Sequence, residues 1–392
     1  MRDESRFIVS QTMSRTPNPA RAVYNRRMTD GETAARYHRW QLRLAIARVA
    51  LLAALLLAVQ VTGAGRALAE AAARLFHAPA AQVALVALVL GASQTILGLP
   101  LGWLSGFELP RRYGLLHQPL GGWLADRLKA AALGGAVALA GVEALYALLR
   151  ATPMWWLALA GLAFAFSIVV TAVLPVWVLP LFYRLTPLAD ETLRARLLAL
   201  AGRAGVPAIG VWVADQSRKS RTANAAVIGL GRTRRILLYD TLTASFRPDE
   251  IEAVLAHELG HHVHRDMQRG LLVQGALSIA TFWIADRALR AGVGLWSLAG
   301  PDDLAGMAWL ALVLLGVGLL SAPLANGFSR LIERQADDFA LTLTRNPGGF
   351  IGAMERLASL NLAERRPHRL KELMLYSHPA LDRRIARARA AS

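Results

Sequence analysis

The chain has 392 residues, no cysteine, and 44 basic against 27 acidic residues, a formal charge of +17. Hydrophobic residues make up 55% and charged ones 18%, below the roughly 25% charged that is ordinary for soluble domains. This balance excludes a disordered chain, a disulfide scaffold and a simple soluble enzyme, and without cysteine there are no thiolate nucleophiles, Cys-ligated metals or iron–sulfur clusters.

In chain order, residues 1–43 are polar, Arg-rich and aperiodic, which predicts a flexible basic tail. Six apolar stretches then reach the length of a bilayer span, about 20 helical residues. They are 44–65, 80–104, 127–149, 153–178, 270–290 and 303–326. Ala67-Leu68-Ala69 imitates a signal cleavage site, but the long leader and the later spans favour an uncleaved anchor. Glu143 and Asp286 fall near the outer ends of spans and read as interfacial.

Between the fourth and fifth spans the pattern predicts a small α/β unit. A helix over Glu191–Ala204 precedes a strand at Ile209–Ala214. A hairpin of Ala225–Leu230 and Arg235–Tyr239 turns at Gly231-Arg232-Thr233. A further helix starts at Pro248, with Asp249 and Glu250 in its first turn. The expected organisation is a tail at 1–43, a four-helix membrane region at 44–183 and the first part of a polar domain at 184–269. A transmembrane hairpin at 270–326 and the second part of that domain at 327–392 complete it.

With six spans, the long polar regions share one side. All basic residues except Arg66, Arg74, Arg150, Arg287 and Arg290 lie on or beside that side, which the positive-inside rule makes cytoplasmic, with both termini. The charge then serves orientation and membrane lipid contact, and no groove-reading motif supports a nucleic-acid partner. Lysine occurs only at Lys129, Lys219 and Lys371, an arginine bias that points to a GC-rich bacterial genome and its inner membrane.

The helix from Pro248 carries His257-Glu258-Leu259-Gly260-His261. Histidines four apart share one helical face and can hold one Zn²⁺, and a glutamate between them can accept a proton from water and pass it to the leaving amine. His262 and His264 read as solvated or as partners of the ligands. A catalytic zinc needs a third protein ligand and an open position, and without cysteine the ligand must be His, Asp or Glu. Glu333 follows the sixth span as closely as His261 precedes the fifth, so the hairpin returns Glu333 to the same face. Asp337, one turn on, could brace a ligand histidine. The alternative for both acids is a solvated face paired with Arg330 and Arg334.

These residues belong to a longer pattern: Asn224-Ala225-Ala226-Val227-Ile228-Gly229, Arg235 to Leu242, the HELGHH run, Glu333-Arg334-Gln335-Ala336-Asp337, and Ser377-His378-Pro379 with Arg384-Ile385. Upstream stand Phe107-Glu108-Leu109, Tyr113-Gly114-Leu115, Gln118-Pro119-Leu120-Gly121 and Leu185-Thr186-Pro187-Leu188. The pattern resembles the CAAX prenyl protease 1 family of integral-membrane zinc metalloproteases. The resemblance implies one zinc per chain on His257, His261 and Glu333, with Glu258 as general acid/base and Asp337 behind the ligands. It also implies that His378 and Arg384 face substrate and that the Asn224 segment is an edge strand pairing with an extended peptide. An unpaired strand offers main-chain bonds whatever the peptide's side chains, which gives that role a physical basis. On residues alone, Asn224 could equally be a turn cap and His378 a helix-start residue without chemistry; as a donor, His378 would serve an oxyanion.

The expected fold is thus a mainly α membrane protein of about six transmembrane helices with a split zincin-like α+β protease domain and a small β-hairpin. Eukaryotic relatives have seven spans around an intramembrane chamber; here a tail replaces the first. The expected function is a membrane-embedded zinc endopeptidase acting by zinc-activated water on a peptide or membrane-protein substrate, lipidated or not, at the cytoplasmic face. The alternatives are a heat-shock-type quality-control protease, which would lack the Phe107–Gly121 segment, and a catalytically silent scaffold or transporter.

Overall fold

The computed structural model describes residues 19–173, 177–229 and 234–391. Its first half is helical: α1 (Pro19–Val61), α2 (Ala64–Leu75), α3 (Pro79–Trp103), α4 (Leu109–Arg112), α5 (Leu120–Ala151) and α6 (Trp155–Val173). The expected tail is corrected here, because α1 already runs from Pro19; residues 1–18 lie outside the described part. Ala34, Tyr37, His38 and Gln41 lie on one face of α1 at helical spacing. Ala34 is buried with Leu115 and Leu362, and Tyr37 packs on them. His38 Nε2 bonds the Leu362 carbonyl at 2.8 Å.

A π-helical turn at Leu104–Glu108 joins α3 to α4. Such a turn interrupts the regular backbone ladder. Gln41 of α1 donates to the Ser105 carbonyl at 3.0 Å and Trp123 Nε1 of α5 to the Gly106 carbonyl at 3.0 Å, so three membrane helices are tied at this turn.

Four strands, β1 (Leu185–Pro187), β2 (Val211–Ala214), β3 (Ala225–Ile228) and β4 (Arg235–Tyr239), form one sheet in the order β1-β2-β4-β3. β2 and β4 are parallel, while β3 pairs antiparallel with β4 in the register Ala225 to Leu238 and Val227 to Ile236. The expected hairpin is present, although its Gly231-Arg232-Thr233 turn lies outside the described residues. α7 (Glu191–Arg203), α8 (Asp240–Ser245) and α9 (Pro248–Val263) flank the sheet. Leu197, Leu200, Ile236, Leu238, Leu255 and Leu259 are fully buried between these layers. Lys219, on the segment after β2, reaches Asp126 of α5 at 2.6 Å, and Gln118 donates to the same carboxylate at 2.8 Å. This pair, with Lys219 buried and Asp126 half-buried, fastens the sheet domain to the membrane helices.

The rest comprises α10 (Asp266–Leu295), α11 (Met307–Thr344), α12 (Pro347–Leu360), α13 (Arg369–Leu375) and α14 (Leu381–Ala390). Among the described residues, five helical segments are long and apolar enough to cross a membrane: Gly31–Val61, Pro79–Arg112, Leu120–Ala151, Trp155–Val173 and Leu304–Thr344. The expected span at 270–290 lies in α10, where Arg269, Asp286, Arg287 and Arg290 lower the hydropathy. α10 still runs antiparallel beside α11. Arg269 Nη1 bonds Gln335 Oε1 at 2.8 Å at one end, and Trp309 Nε1 donates to the Ala288 carbonyl at 3.0 Å at the other.

Asp286 is not exposed, as its place in the sequence suggested, but fully buried. It accepts from Trp155 Nε1 at 2.9 Å and from Arg290 Nε at 3.0 Å, and it pairs with Arg287, joining α6 to α10. Replacing Asp286 by Ala leaves the buried Trp155 N–H without a partner. We expect a loss of about 2 kcal/mol, the cost of one such group, read as a lower thermal transition of the protein in detergent.

Candidate metal centre

The site is built on α9. Its first turn is fixed by Glu250, a buried carboxylate that accepts from the Arg247 backbone N–H at 2.8 Å and pairs with Arg356 at 2.7 Å. Two turns later His257 and His261 project from one face, with their Nε2 atoms 3.2 Å apart. Glu333 of α11 meets them: Oε2 is 3.2 Å from His257 Nε2 and Oε1 is 3.5 Å from His261 Nε2. Gly260 permits this approach, since a Cβ there would stand 3.1 Å from the Ala336 Cα.

The three ligand atoms lie within 4.8 Å of one another. A tetrahedral ion with bonds of about 2.0–2.1 Å has ligand-to-ligand edges of about 3.3 Å; the two imidazoles meet that spacing at 3.2 Å, and Glu333 approaches them with a different oxygen each, at 3.2 and 3.5 Å. Glu333 Oε2 is buried and faces two imidazole nitrogens, His257 Nε2 at 3.2 Å and His378 Nδ1 at 2.7 Å. For the side chains alone, burial opposes charging His257, but bonds with Asp337 and Glu333 outweigh it and its pKa is pushed up to about 9. The residues therefore fit a bound cation.

Both imidazoles are oriented from behind. His257 Nδ1 is 2.9 Å from Asp337 Oδ1, and His261 Nδ1 is 2.9 Å from Asp266 Oδ2. Each carboxylate is itself held by an arginine. Arg384 forks onto Asp337 at 2.8 and 2.6 Å, and Arg269 bonds Asp266 at 2.8 Å. These partners leave the Nε2 lone pairs free to face a metal. Asp266 went unrecognised in the sequence, because only the left-handed turn at Arg265, φ 56°, folds it back onto His261. Its replacement by Asn should weaken metal affinity by about 10–100-fold, measured by competition with a chelating dye.

A cavity of about 610 Å³ opens on this centre, lined by Asn224, His257, Glu258, His378 and Arg384 among others, with His38 of α1 in its wall. Burial raises the Glu258 pKa, against the pull of His257 and His261. His378 is largely exposed to the cavity, with Nδ1 2.7 Å from Glu333 Oε2. Arg384 lines the cavity too, but its guanidinium is engaged by Asp337. Asn224 is exposed at the start of β3; its carbonyl accepts from Tyr239 N at 3.0 Å and its side chain from Ala225 N at 3.0 Å. β3 is an edge of the sheet, as expected. His262 is not solvated but bonds the Val227 carbonyl at 3.0 Å, pinning that edge to α9. His264 packs edge-on against Phe339.

Residues 187–392 match the profile of peptidase family M48, and residues 9–184 match that of the CAAX prenyl protease N-terminal region, described as five membrane helices. The latter match includes Phe107–Gly121, the segment a heat-shock-type protease would lack. An uncharacterized metalloprotease of Bacillus subtilis, YhfN, is 30% identical over 76% of this chain and 71% of its own. CAAX prenyl protease 1 of Saccharomyces cerevisiae is 36% identical over 44% of this chain and 39% of its own. The crystal structure of S. mikatae Ste24p superposes with a TM-score of 0.82 at 25% identity, covering 92% of this chain and 89% of that one. The chain therefore belongs to peptidase family M48, as a multi-pass membrane metalloendopeptidase of the CAAX prenyl protease type.

Proposed function

We propose that the protein is a zinc endopeptidase that cleaves membrane-associated peptides, prenylated ones included, at the cytoplasmic face of a bacterial inner membrane. The triangle of His257, His261 and Glu333 carries this reading. Two imidazoles, one carboxylate and an open side suit zinc, and both halves of the split domain, 184–269 and 327–392, supply ligands. When bound, zinc supplies Lewis acidity toward the scissile carbonyl and toward water.

The chain's own groups do the rest. An extended peptide adds to the edge of β3 through main-chain hydrogen bonds, displacing the Asn224 side chain from Ala225 N and sharing the Val227 carbonyl with His262. Glu258 takes a proton from the attacking water and returns it to the leaving amine. Its burial favours this, since it raises a carboxyl toward neutral pKa, although a metal's charge pulls the other way. His378, which lines the cavity, is assigned the donation to a developing oxyanion. Arg384 acts on substrate only indirectly, by holding Asp337 against His257.

The deciding experiment measures zinc by mass spectrometry of the purified protein and then offers matched farnesylated and unmodified peptides. We expect one zinc per chain, chelator-sensitive cleavage, and faster cleavage of the farnesylated peptide. Absence of stoichiometric zinc, or cleavage indifferent to chelator, defeats the metalloprotease mechanism; equal rates on the two peptides defeat only the lipid preference.

A further inference from the structure

Behind the metal centre lies a second cavity, of about 710 Å³, between α11, α13 and α14. This is within the roughly 300–1,000 Å³ typical of small-molecule sites. Its wall carries six arginines, Arg330, Arg334, Arg369, Arg383, Arg384 and Arg387, and only two acids, Asp337 and Glu372. Both acids are committed, Asp337 to Arg384 and Glu372 to Arg383, while Arg387 pairs outside the wall with Asp338. Arg330 is spent on main-chain carbonyls at the end of α13, including that of Glu372 at 3.0 Å. Among the described residues, Arg334 and Arg369 have no carboxylate partner. So strong an excess of guanidinium around one hollow favours an anion with several oxygens, and a phosphate matches the planar fork best.

The surroundings indicate where the phosphate comes from. α13 exposes Leu370, Leu373, Met374 and Leu375, four of its seven residues, an amphipathic pattern suited to a membrane interface. Asn326 of α11 bonds the Met374 carbonyl at 2.8 Å. That residue closes the apolar stretch of α11, whose Leu320 and Leu324 are exposed. Arg330 and Arg334 follow one and two turns later, roughly 6 and 12 Å further along the helix. The cavity therefore sits where headgroup phosphates lie, with an apolar helix beside it to receive acyl chains. We propose that this cavity binds the phosphate of an anionic phospholipid, whose chains lie along α13. The inference rests on the membrane placement of α11 and is independent of which metal the protease site holds.

The test titrates the full-length protein in a nonionic detergent with short-chain phosphatidylglycerol, phosphatidylcholine or inorganic phosphate, and counts bound ligand by native mass spectrometry. We expect one phosphatidylglycerol retained in preference to phosphatidylcholine. We further expect that inorganic phosphate at equal concentration fails to displace it. Arg334→Gln and Arg369→Gln should each weaken binding about fivefold, the equivalent of roughly one surface charge against an anionic lipid. Unchanged metal content and thermal transition confirm that the variants fold, and the exposed Arg369→Gln alone suffices if Arg334→Gln does not. Equal retention of the two lipids, or undiminished binding by Arg369→Gln, overturns the proposal. Full displacement by inorganic phosphate overturns the lipid assignment and leaves a free-phosphate site.

Discussion

Replacing Glu258 by Gln should lower the rate of peptide cleavage by about two to four orders of magnitude, the usual contribution of a positioned proton-transfer group, while metal content stays at the parent level. Gln is nearly isosteric, so the cavity keeps its shape and His257 and His261 keep their facing Nε2 atoms. What is lost is a group able to accept a proton. None of the distances that define the ligand triangle involves Glu258, which is why metal retention separates the two effects. A variant that cleaves as fast as the parent, with metal bound, removes Glu258 from the chemistry.

Replacing Glu333 by Ala should have the opposite signature: metal is lost first, and activity follows. Glu333 closes the triangle from the neighbouring helix, and its buried carboxylate supplies the negative charge there. Loss of an outer partner costs about 10–100-fold in affinity, so loss of a ligand should exceed that and leave the purified protein short of metal. Asp337→Asn sits on the milder side of the comparison, because it frees His257 to rotate but leaves its Nε2. Metal analysis of Glu333→Ala and Asp337→Asn under one chelator concentration orders them. If Glu333→Ala holds metal as tightly as Asp337→Asn, the triangle is not the ligand set.

Much of this site is legible in local sequence because its geometry is local. Histidines four apart on a helix must share a face, so the pairing of His257 with His261 needs only the helical period. Strand β4 has the bounds its β-branched and aliphatic run predicts, and α9 begins at Pro248 with Glu250 closing its first turn. Glu333 was reachable because a helical hairpin returns to the side it left, and α10 and α11 do run antiparallel. Asp266 was not, since one left-handed residue reverses the chain there and no composition rule marks it. The stripe of Ala34, Tyr37, His38 and Gln41 was hidden among arginines, and its helical face acquires meaning only when Leu115 and Leu362 are beneath it.

The chain's own sequence determined the class of the molecule: apolar spans that demand a bilayer, a paired-histidine helix, and a metal site closed without sulfur. Only the tertiary structure decided which polar groups are solvated and which are buried partners. It turned Asp286 from an exposed acid into the knot between α6 and α10, His262 into the clasp on β3, and Arg384 into the support for Asp337. The reason is one of range. Backbone periodicity and hydropathy act over a few residues, whereas the desolvation that forces a buried charge to find its partner acts between elements the sequence keeps far apart.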